Sequence, residues 1–200
     1  MQLPNPLKYI YYIMRHGQSV PNVQKIIVSK LENGILPENG LTELGREQSQ
    51  KSARLLLTTL KKTEEFVIIY SPFSRAKETA EEAKKILNCV EFKEDINLRE
   101  RNFGDLELMS SDNYSKFWVE DRINADSKIF DSESPNEVAV RMVSVIKECE
   151  SRNYPPSQKI LFVTHGDPAQ ILQTVFKNIP ISKHNTDVHY MDNAEIKRLN

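Results

Sequence analysis

The stretch YIYYIM at Tyr9–Met14 is the first of three short apolar runs that decide the fold. The other two are FVIIY at Phe66–Tyr70 and ILFVT at Ile160–Thr164. Each run is continuous and rich in β-branched or aromatic residues. Such runs are typical of parallel strands that are covered on both faces, because an exposed antiparallel strand would alternate apolar with polar residues. We therefore predict three buried parallel strands.

Amphipathic helical patterns separate and follow these strands. The spacing predicts helices over about 42–60, 74–87 and 134–153, and a last helix after Asp167-Pro168. Strands that alternate with helices predict an α/β fold, here a three-layer α/β/α sandwich around a mainly parallel central sheet. The expected apolar faces, in chain order, are Leu44, Leu55, Leu56 and Leu60; Ala76, Ala80, Ala83 and Leu87; Val138, Met142, Val145, Ile146 and Cys149; and Leu172, Val175 and Phe176.

Polar residues mark where three of these helices begin. Ser134 with Glu137 forms a capping box around Pro135. Ser71 or Ser74 is expected to cap the second helix, and Asp167 the last one.

Length and charge restrict the class of protein. The chain has 200 residues, which favours one domain over 1–200, and we expect a lid or insertion at about 103–134 that contains one short helix. The 27 basic and 28 acidic residues give a net charge of -1, which argues against nucleic-acid and membrane partners. Cys89 and Cys149 are interpreted as core or half-buried thiols. We expect a reduced, cytoplasmic protein, because no secretory signal or membrane-length apolar run is evident.

Charged residues follow each predicted strand directly. The first strand ends in Arg15-His16-Gly17, the second leads through Ser71-Pro72 to Arg75, and the third ends in His165-Gly166. In open parallel sheets, ligands bind beyond the carboxyl ends of the strands. Two guanidiniums and two imidazoles at one such edge fit a phosphoryl group, because the guanidinium fork matches its oxygens. Any one of these residues alone has an ordinary structural interpretation; the set of four favours a site.

The same residues resemble the motifs of a known family. Arg15-His16-Gly17-Gln18-Ser19 with Asn22 is similar to the RHG motif of the histidine phosphatase (phosphoglycerate mutase-like) superfamily. The resemblance continues, in order, through Leu41-Thr42 with Gly45 and Gln48, Ser71–Ala80, Leu98–Gly104 and Thr164–Gly166. It spans nearly the whole chain and implies the phosphoglycerate mutase-like form of the predicted fold.

The resemblance also implies roles for the site residues. His16 would be the nucleophile that becomes phosphorylated, while Arg15, Arg75 and His165 would stabilise the transferring phosphoryl group. Glu100 would be the general acid, with Asp105 and Glu107 as fallback candidates. Gly17, Gln18 and Asn22 would join Arg15, Arg75 and His165 in binding the substrate.

The expected function is phosphomonoester hydrolysis through a phosphohistidine on His16, acting on a small phosphorylated metabolite. LRERNFG at Leu98–Gly104 is closer to the phosphatase branch than to the mutases, so a cofactor-dependent phosphoglycerate mutase ranks second. A catalytically inactive phospho-ligand-binding module ranks third.

Several further features of the sequence bear on cofactors and partners. No cofactor and no metal are expected, because phosphate-loop, dinucleotide and paired-carboxylate motifs are missing from the sequence. His184 and His189 are interpreted as surface or hairpin residues, in a tail where Val188–Met191 and Ala194–Leu199 would form a hairpin. Lys25 or Lys30 could lie near the substrate. Monomer and homodimer both stay open.

Overall fold

A computed structural model, which describes residues 2–60 and 63–200, contains a five-stranded sheet with helices on both faces. The strand order is β3-β2-β4-β1-β5, and all pairs are parallel except β1 with β5. The strands are β1 Ile10–Arg15, β2 Glu65–Tyr70, β3 Asn88–Glu94, β4 Lys159–Thr164 and β5 Ile196–Arg198. The α-helices are α1 Val20–Gln24, α2 Leu31–Gly34, α3 Glu43–Thr58, α4 Ser74–Lys84, α5 Tyr114–Ile123, α6 Pro135–Ser151 and α7 Gly166–Lys177.

The three predicted strands are confirmed as β1, β2 and β4, with bounds that differ by one residue. The pairing aligns their carboxyl ends, because Arg15 lies opposite Thr164 and Tyr70 lies opposite Val163. The segments after these strands therefore meet at one edge of the sheet.

Alternate residues of each strand supply two separate cores, which confirms the three-layer sandwich. Tyr11, Ile13 and Phe162 pack with residues of α6 and α7. Tyr12, Met14 and Phe66 pack on the opposite face, with the alanines of α4 and with Ala53 of α3. Because both faces are covered, no alternation of polar residues is visible in the sequence of these strands.

The buried face of α3 differs from the predicted leucine stripe. Leu44 and Leu55 are 47% and 65% exposed, and the buried residues are Gly45, Ser49 and Ala53. Small residues are needed because the loop after β1 lies directly on this helix. A Cβ on Gly17 would stand 2.3 Å from the carbonyl oxygen of Gly45.

The predicted caps are partly wrong. The capping box of Ser134 and Glu137 on α6 is confirmed. The N-cap of α4 is Phe73, because Ser74 already lies in the first turn and donates to the carbonyl of Ile35. His165 is the N-cap of α7, so Asp167 lies within the first turn and does not cap it.

The predicted C-terminal hairpin is wrong, and one strand was missed. Residues 188–195 form no strand; β5 pairs antiparallel with β1 instead. The missed strand β3 is a half-exposed edge strand whose charged residues conceal it in the sequence. Cys89, on this strand, is half-buried and Cys149 is buried, which confirms their interpretation.

The segment 103–134 contains α5 and short 3-10 helices, so the expected short helix is confirmed. Phe103, Phe117 and Ile27 form a small apolar cluster that joins the segment to the loop after α1. Of the helices in the described ranges, none combines the length and apolarity needed to cross a membrane.

We predict that Ser134→Ala lowers the free energy of unfolding by about 1 kcal/mol, because it removes the side-chain cap of α6. The exposed Ser151, at the other end of the same helix, provides the control, and Ser151→Ala should change stability by less than about 0.5 kcal/mol. Denaturant unfolding of both variants measures the difference. Equal losses would mean that the cap contributes nothing specific.

Candidate active site

Four side chains predicted from the strand ends lie together at the carboxyl edge of the sheet. His16 and His165 follow the adjacent strands β1 and β4, and their ring centroids are 5.2 Å apart. Arg75, in the first turn of α4, reaches His16, and Arg15 precedes His16 on β1. His16, Arg75 and His165 are at most 4% exposed. The predicted cluster of two histidines and two arginines is therefore present, with three members buried and Arg15 half-buried.

The hydrogen bonds of His16 define its tautomer. Nδ1 lies 2.8 Å from the carbonyl oxygen of Gly17, which can only accept, so Nδ1 carries the proton. Nε2 accepts a hydrogen bond from Arg75 Nε at 3.1 Å. Burial first, and then the charges of Arg75 and Arg15, lower the pKa of His16 well below its ordinary value. His16 is therefore a neutral imidazole with its lone pair on Nε2.

Both arginines keep donors that no described residue uses. Arg75 donates Nη2 to the carbonyl of Val28 at 2.9 Å, and Arg15 donates Nη1 to the carbonyl of Met191 at 2.7 Å. Arg75 Nη1 and Arg15 Nε are buried and have no hydrogen-bond partner within residues 2–60 and 63–200. Unpaired buried donors are costly unless a ligand satisfies them, so this cluster is suited to an anion.

The ring of His165 is positioned by contacts with Ser71 and Phe73. Its Nε2 lies 2.8 Å from Ser71 Oγ, and the ring of Phe73 meets it edge-on at 5.0 Å. Ser71 therefore positions His165 and, contrary to one of the predictions, does not cap α4. Burial, followed by the charges of Arg75 and His16, lowers the pKa of His165 well below its ordinary value. Its Nδ1 has no partner in the described part of the chain.

Glu100 faces both Arg75 and His165. Its Oε2 lies 3.8 Å from Arg75 Nη2 and 3.8 Å from His165 Nδ1. Burial raises the pKa of Glu100 to about 7, with Arg75 opposing and Asp167 adding to the rise. A carboxyl group with this pKa exchanges a proton near neutral pH, as a general acid must.

A cavity of about 90 Å³ opens onto this cluster. Its lining combines the polar groups above with aliphatic and aromatic side chains, as is usual for small-molecule sites. The lining residues are Arg15, His16, Ser19, Pro21, Asn22, Ile26, Val28, Arg75, Glu100, Phe103, Tyr114, Trp118, Gly166, Asp167, Gln170 and Tyr190.

Of the other residues assigned to substrate binding, Asn22 lines the cavity and Gly17 and Gln18 do not. Asn22 lines the cavity, although its Oδ1 accepts from the backbone of Ser19 in the capping box of α1. Gly17 lies behind His16 and donates its N–H to Thr79. Gln18 directs its side chain to Thr42 at the start of α3 and does not line the cavity.

The fallback acids and the two lysines lie away from the cavity. Asp105 is exposed, and Glu107 accepts hydrogen bonds from Ser29 and Asn33, which fixes the loop after α1. Lys25 is exposed, and Lys30 lines a different, more open cavity.

The interpretation of His184 as a surface or hairpin residue is wrong. His184 is fully buried in an ionic cluster whose centre is Arg101. Arg101 binds Asp121 of α5 at 2.6 and 2.9 Å and Asp167 of α7 at 3.1 Å, and His184 Nε2 lies 3.5 Å from Asp167. Burial opposes a charge on His184, but Asp167 and Asp121 raise its pKa. His189, by contrast, is exposed as expected.

The aromatic residues of the site were missed as lining residues. Tyr114 and Trp118 lie one turn apart on α5, and their rings are nearly parallel, at an interplanar angle of 16°. Tyr190 lies beside Arg15, whose guanidinium is 5.1 Å from the ring centroid. The concentration of aromatic residues in segment 103–134 is the sequence signal that could have identified Tyr114 and Trp118 as lining residues.

Metal-ligating geometry is not evident in the site. Within the described ranges, no three or more His, Cys, Asp or Glu side chains are grouped so that they could hold a metal ion. Catalysis without a metal stays a prediction.

Residues 11–200 match the histidine phosphatase superfamily (branch 1), and the chain belongs to this family. A 2,3-bisphosphoglycerate-dependent phosphoglycerate mutase of Chelativorans sp. (strain BNC1) is 28% identical over 131 residues. That match covers 64% of this chain and 60% of the mutase, which is less than two thirds of the mutase's length. Membership of this family supports the prediction that the protein is an enzyme.

Solved structures agree on the fold. A mycobacterial hydrolase is 23% identical, with a TM-score of 0.77 over 95% of this chain and 88% of that chain. A mycobacterial glucosyl-3-phosphoglycerate phosphatase in complex with VO3 is 24% identical, with a TM-score of 0.74 over 95% of this chain and 90% of that chain. At these identities the likeness concerns the fold alone.

We predict that the imidazoles of His16 and His165 titrate well below the ordinary value, because burial and the charge of Arg75 lower the pKa of both. His184 should titrate with a midpoint above the ordinary value of about 6.5. Histidine-selective NMR, assigned with one His→Gln variant at a time, measures all three. An ordinary titration of His16 would contradict the lowered pKa and the neutral state derived above.

Proposed function

We propose that this protein is a phosphomonoesterase that hydrolyses a small phosphorylated metabolite through a phosphohistidine on His16. One observation carries the proposal: the lone pair of His16 Nε2 lies in the cluster that supplies the unused donors of Arg75 and Arg15. A neutral nucleophile beside two fixed cations is what phosphoryl transfer needs, because the transferring group carries spread negative charge.

In the first step, the phosphoryl group of the substrate displaces Arg75 Nε from His16 Nε2. Nε2 then attacks phosphorus, and an N–P bond forms while the P–O bond to the alcohol breaks. Arg15, Arg75 and His165 stabilise the phosphoryl oxygens, and the side chain of Asn22 contributes a neutral donor. The electron pair of the broken bond stays on the leaving oxygen, which takes a proton from Glu100.

In the second step, water hydrolyses the phosphohistidine. The Glu100 carboxylate left by the first step accepts a proton from the attacking water. The new P–O bond forms as the N–P bond breaks, and the electron pair returns to His16 Nε2. Inorganic phosphate leaves, and Glu100 is again protonated.

We further propose that residues 1–200 act as one catalytic domain in which segment 103–134 is a lid. The support is the position of α5, which places Tyr114 and Trp118 in the lining of the cavity. A covering helix would exclude water from the transferring phosphoryl group and strengthen its contacts with the arginines.

Mutase activity is the second candidate function, favoured by the likeness to a phosphoglycerate mutase. It would use the same phosphohistidine, but the phosphoryl group would return to the substrate at another oxygen. Phosphate release measured beside isomerisation of 3-phosphoglycerate to 2-phosphoglycerate separates the two activities. A binding module without catalysis would show neither.

We predict that His16→Ala abolishes phosphate release from aryl and alkyl phosphates, and also abolishes acid-labile labelling by phosphate esters. His189→Ala is the matched control, because His189 is an exposed histidine whose ring is hydrogen-bonded to Glu195, away from the cavity. It should retain full activity. Labelling that persists in His16→Ala would move the nucleophile to another residue.

We predict that kcat/KM falls as pH rises through about 7, because Glu100 must carry its proton to protonate the leaving oxygen. Glu100→Gln should lower kcat/KM, which reports the formation of phosphohistidine, by about 100-fold or more for alkyl phosphates and far less for aryl phosphates, since aryl oxygens leave without a proton. It should also abolish this fall for the residual activity. The control is Asp105→Asn, which replaces an exposed carboxylate and should change neither rate. Equal slowing of both substrate classes would leave the acid unidentified.

A further inference from the structure

The positive charges of the cavity are concentrated at one end. Among the described residues that line it, Arg15 and Arg75 are the only lysine or arginine side chains. Arg75 binds His16 directly, and Arg15 precedes His16 on β1. Both guanidiniums are therefore committed to the phosphoryl group in the proposed reaction.

The rest of the cavity lining offers a second anion no cationic partner. Lys25 is exposed and Lys30 lines another cavity, so neither supplies a cation to this wall. Two carboxyl groups, Glu100 and Asp167, line the cavity instead. The other lining side chains away from His16 are neutral: Ser19, Pro21, Asn22, Ile26, Val28, Phe103, Tyr114, Trp118, Gln170 and Tyr190.

Asp167 stays ionised within this wall. It is 8% exposed, and although burial opposes ionisation, His184 and Arg101 hold its pKa well below the usual range. Arg101 and His184 both face Asp121 as well as Asp167, so these two groups are shared between two carboxylates and leave no positive charge over for a ligand. A carboxylate can only accept hydrogen bonds, so it cannot pair with a second acceptor group.

We propose that the substrate is a phosphate monoester of an uncharged alcohol, with one phosphoryl group and no carboxylate or second phosphate. This inference rests on the proposed function and names the substrate class of the same site. A second anion would lose its hydration against Tyr114, Trp118 and Asp167 and would gain no cation in return. The nearly parallel rings of Tyr114 and Trp118 supply an apolar surface against which an uncharged leaving group packs.

A matched pair of esters tests this directly. sn-Glycerol 3-phosphate and 3-phosphoglycerate share one skeleton, and the first carries a hydroxymethyl group where the second carries a carboxylate. We expect kcat/KM for phosphate release to favour glycerol 3-phosphate by at least about tenfold in the wild-type protein. A ratio of one, or a preference for 3-phosphoglycerate, would overturn the inference.

Asp167→Asn tests the electrostatic origin of the preference. The substitution keeps the shape of the side chain and removes its charge, so the ratio of the two kcat/KM values should fall at least about threefold. Any effect on Glu100 changes both esters alike and cancels in the ratio, because both release the same kind of alkoxide. Asp105→Asn, on the exposed carboxylate, should leave the ratio unchanged. An unchanged ratio in a folded Asp167→Asn protein would remove Asp167 from the explanation and contradict the proposal.

The outcomes separate this inference from the proposed function. An aryl phosphate, p-nitrophenyl phosphate, is the reference substrate, and its His16-dependent hydrolysis establishes the phosphatase. If p-nitrophenyl phosphate is hydrolysed but glycerol 3-phosphate and 3-phosphoglycerate are not, their inhibition constants as competitive inhibitors are compared instead. Equal or tighter inhibition by 3-phosphoglycerate then overturns the inference and leaves the proposed function standing. If no ester is hydrolysed, the proposed function fails and the inference fails with it.

Discussion

The hydrogen bond from Arg75 to His16 is the contact on which the site depends. It exists only while His16 Nε2 carries a lone pair, and burial beside two guanidiniums keeps that imidazole neutral. The same burial raises the pKa of Glu100 to about 7. One physical condition, exclusion of water from the edge of the sheet, thus prepares a neutral base and a protonated acid within one cluster. Their roles in catalysis follow from the proposed function.

The sheet makes this exclusion possible because polar residues of the site lie at the ends of buried strands. Arg15 ends β1, and His16 and His165 directly follow β1 and β4, whose side chains are covered on both faces, so two cores hold the backbone that carries these residues. Arg101 fixes the elements that surround the cavity on the other side from the sheet's cores. It is fully buried and joins α5, α7 and the loop that carries Glu100.

The central fold and the four residues at the strand ends were predictable from the sequence, because unbroken apolar runs and the residues directly after them are local signals. In the predicted leucine stripe, Leu56 and Leu60 do pack against the core, but Leu44 and Leu55 were wrong. The close approach of Gly17 to Gly45 is a tertiary constraint that leaves no periodic signal in the sequence. His184 was misplaced for a related reason. Its partners Asp121 and Asp167 are distant in the sequence, and no spacing rule connects them.

The contact between Gly17 and Gly45 affects how mutational surveys of this protein are interpreted. Any side chain on Gly45 would stand 2.0 Å from the carbonyl oxygen of Gln18, and any side chain on Gly17 would collide with Gly45. Substitutions at either position would therefore push the loop that carries His16 away from α3. Such variants would look as inactive as a catalytic knockout, although neither glycine performs any chemistry, and only a structural measurement would reveal the steric origin of the defect.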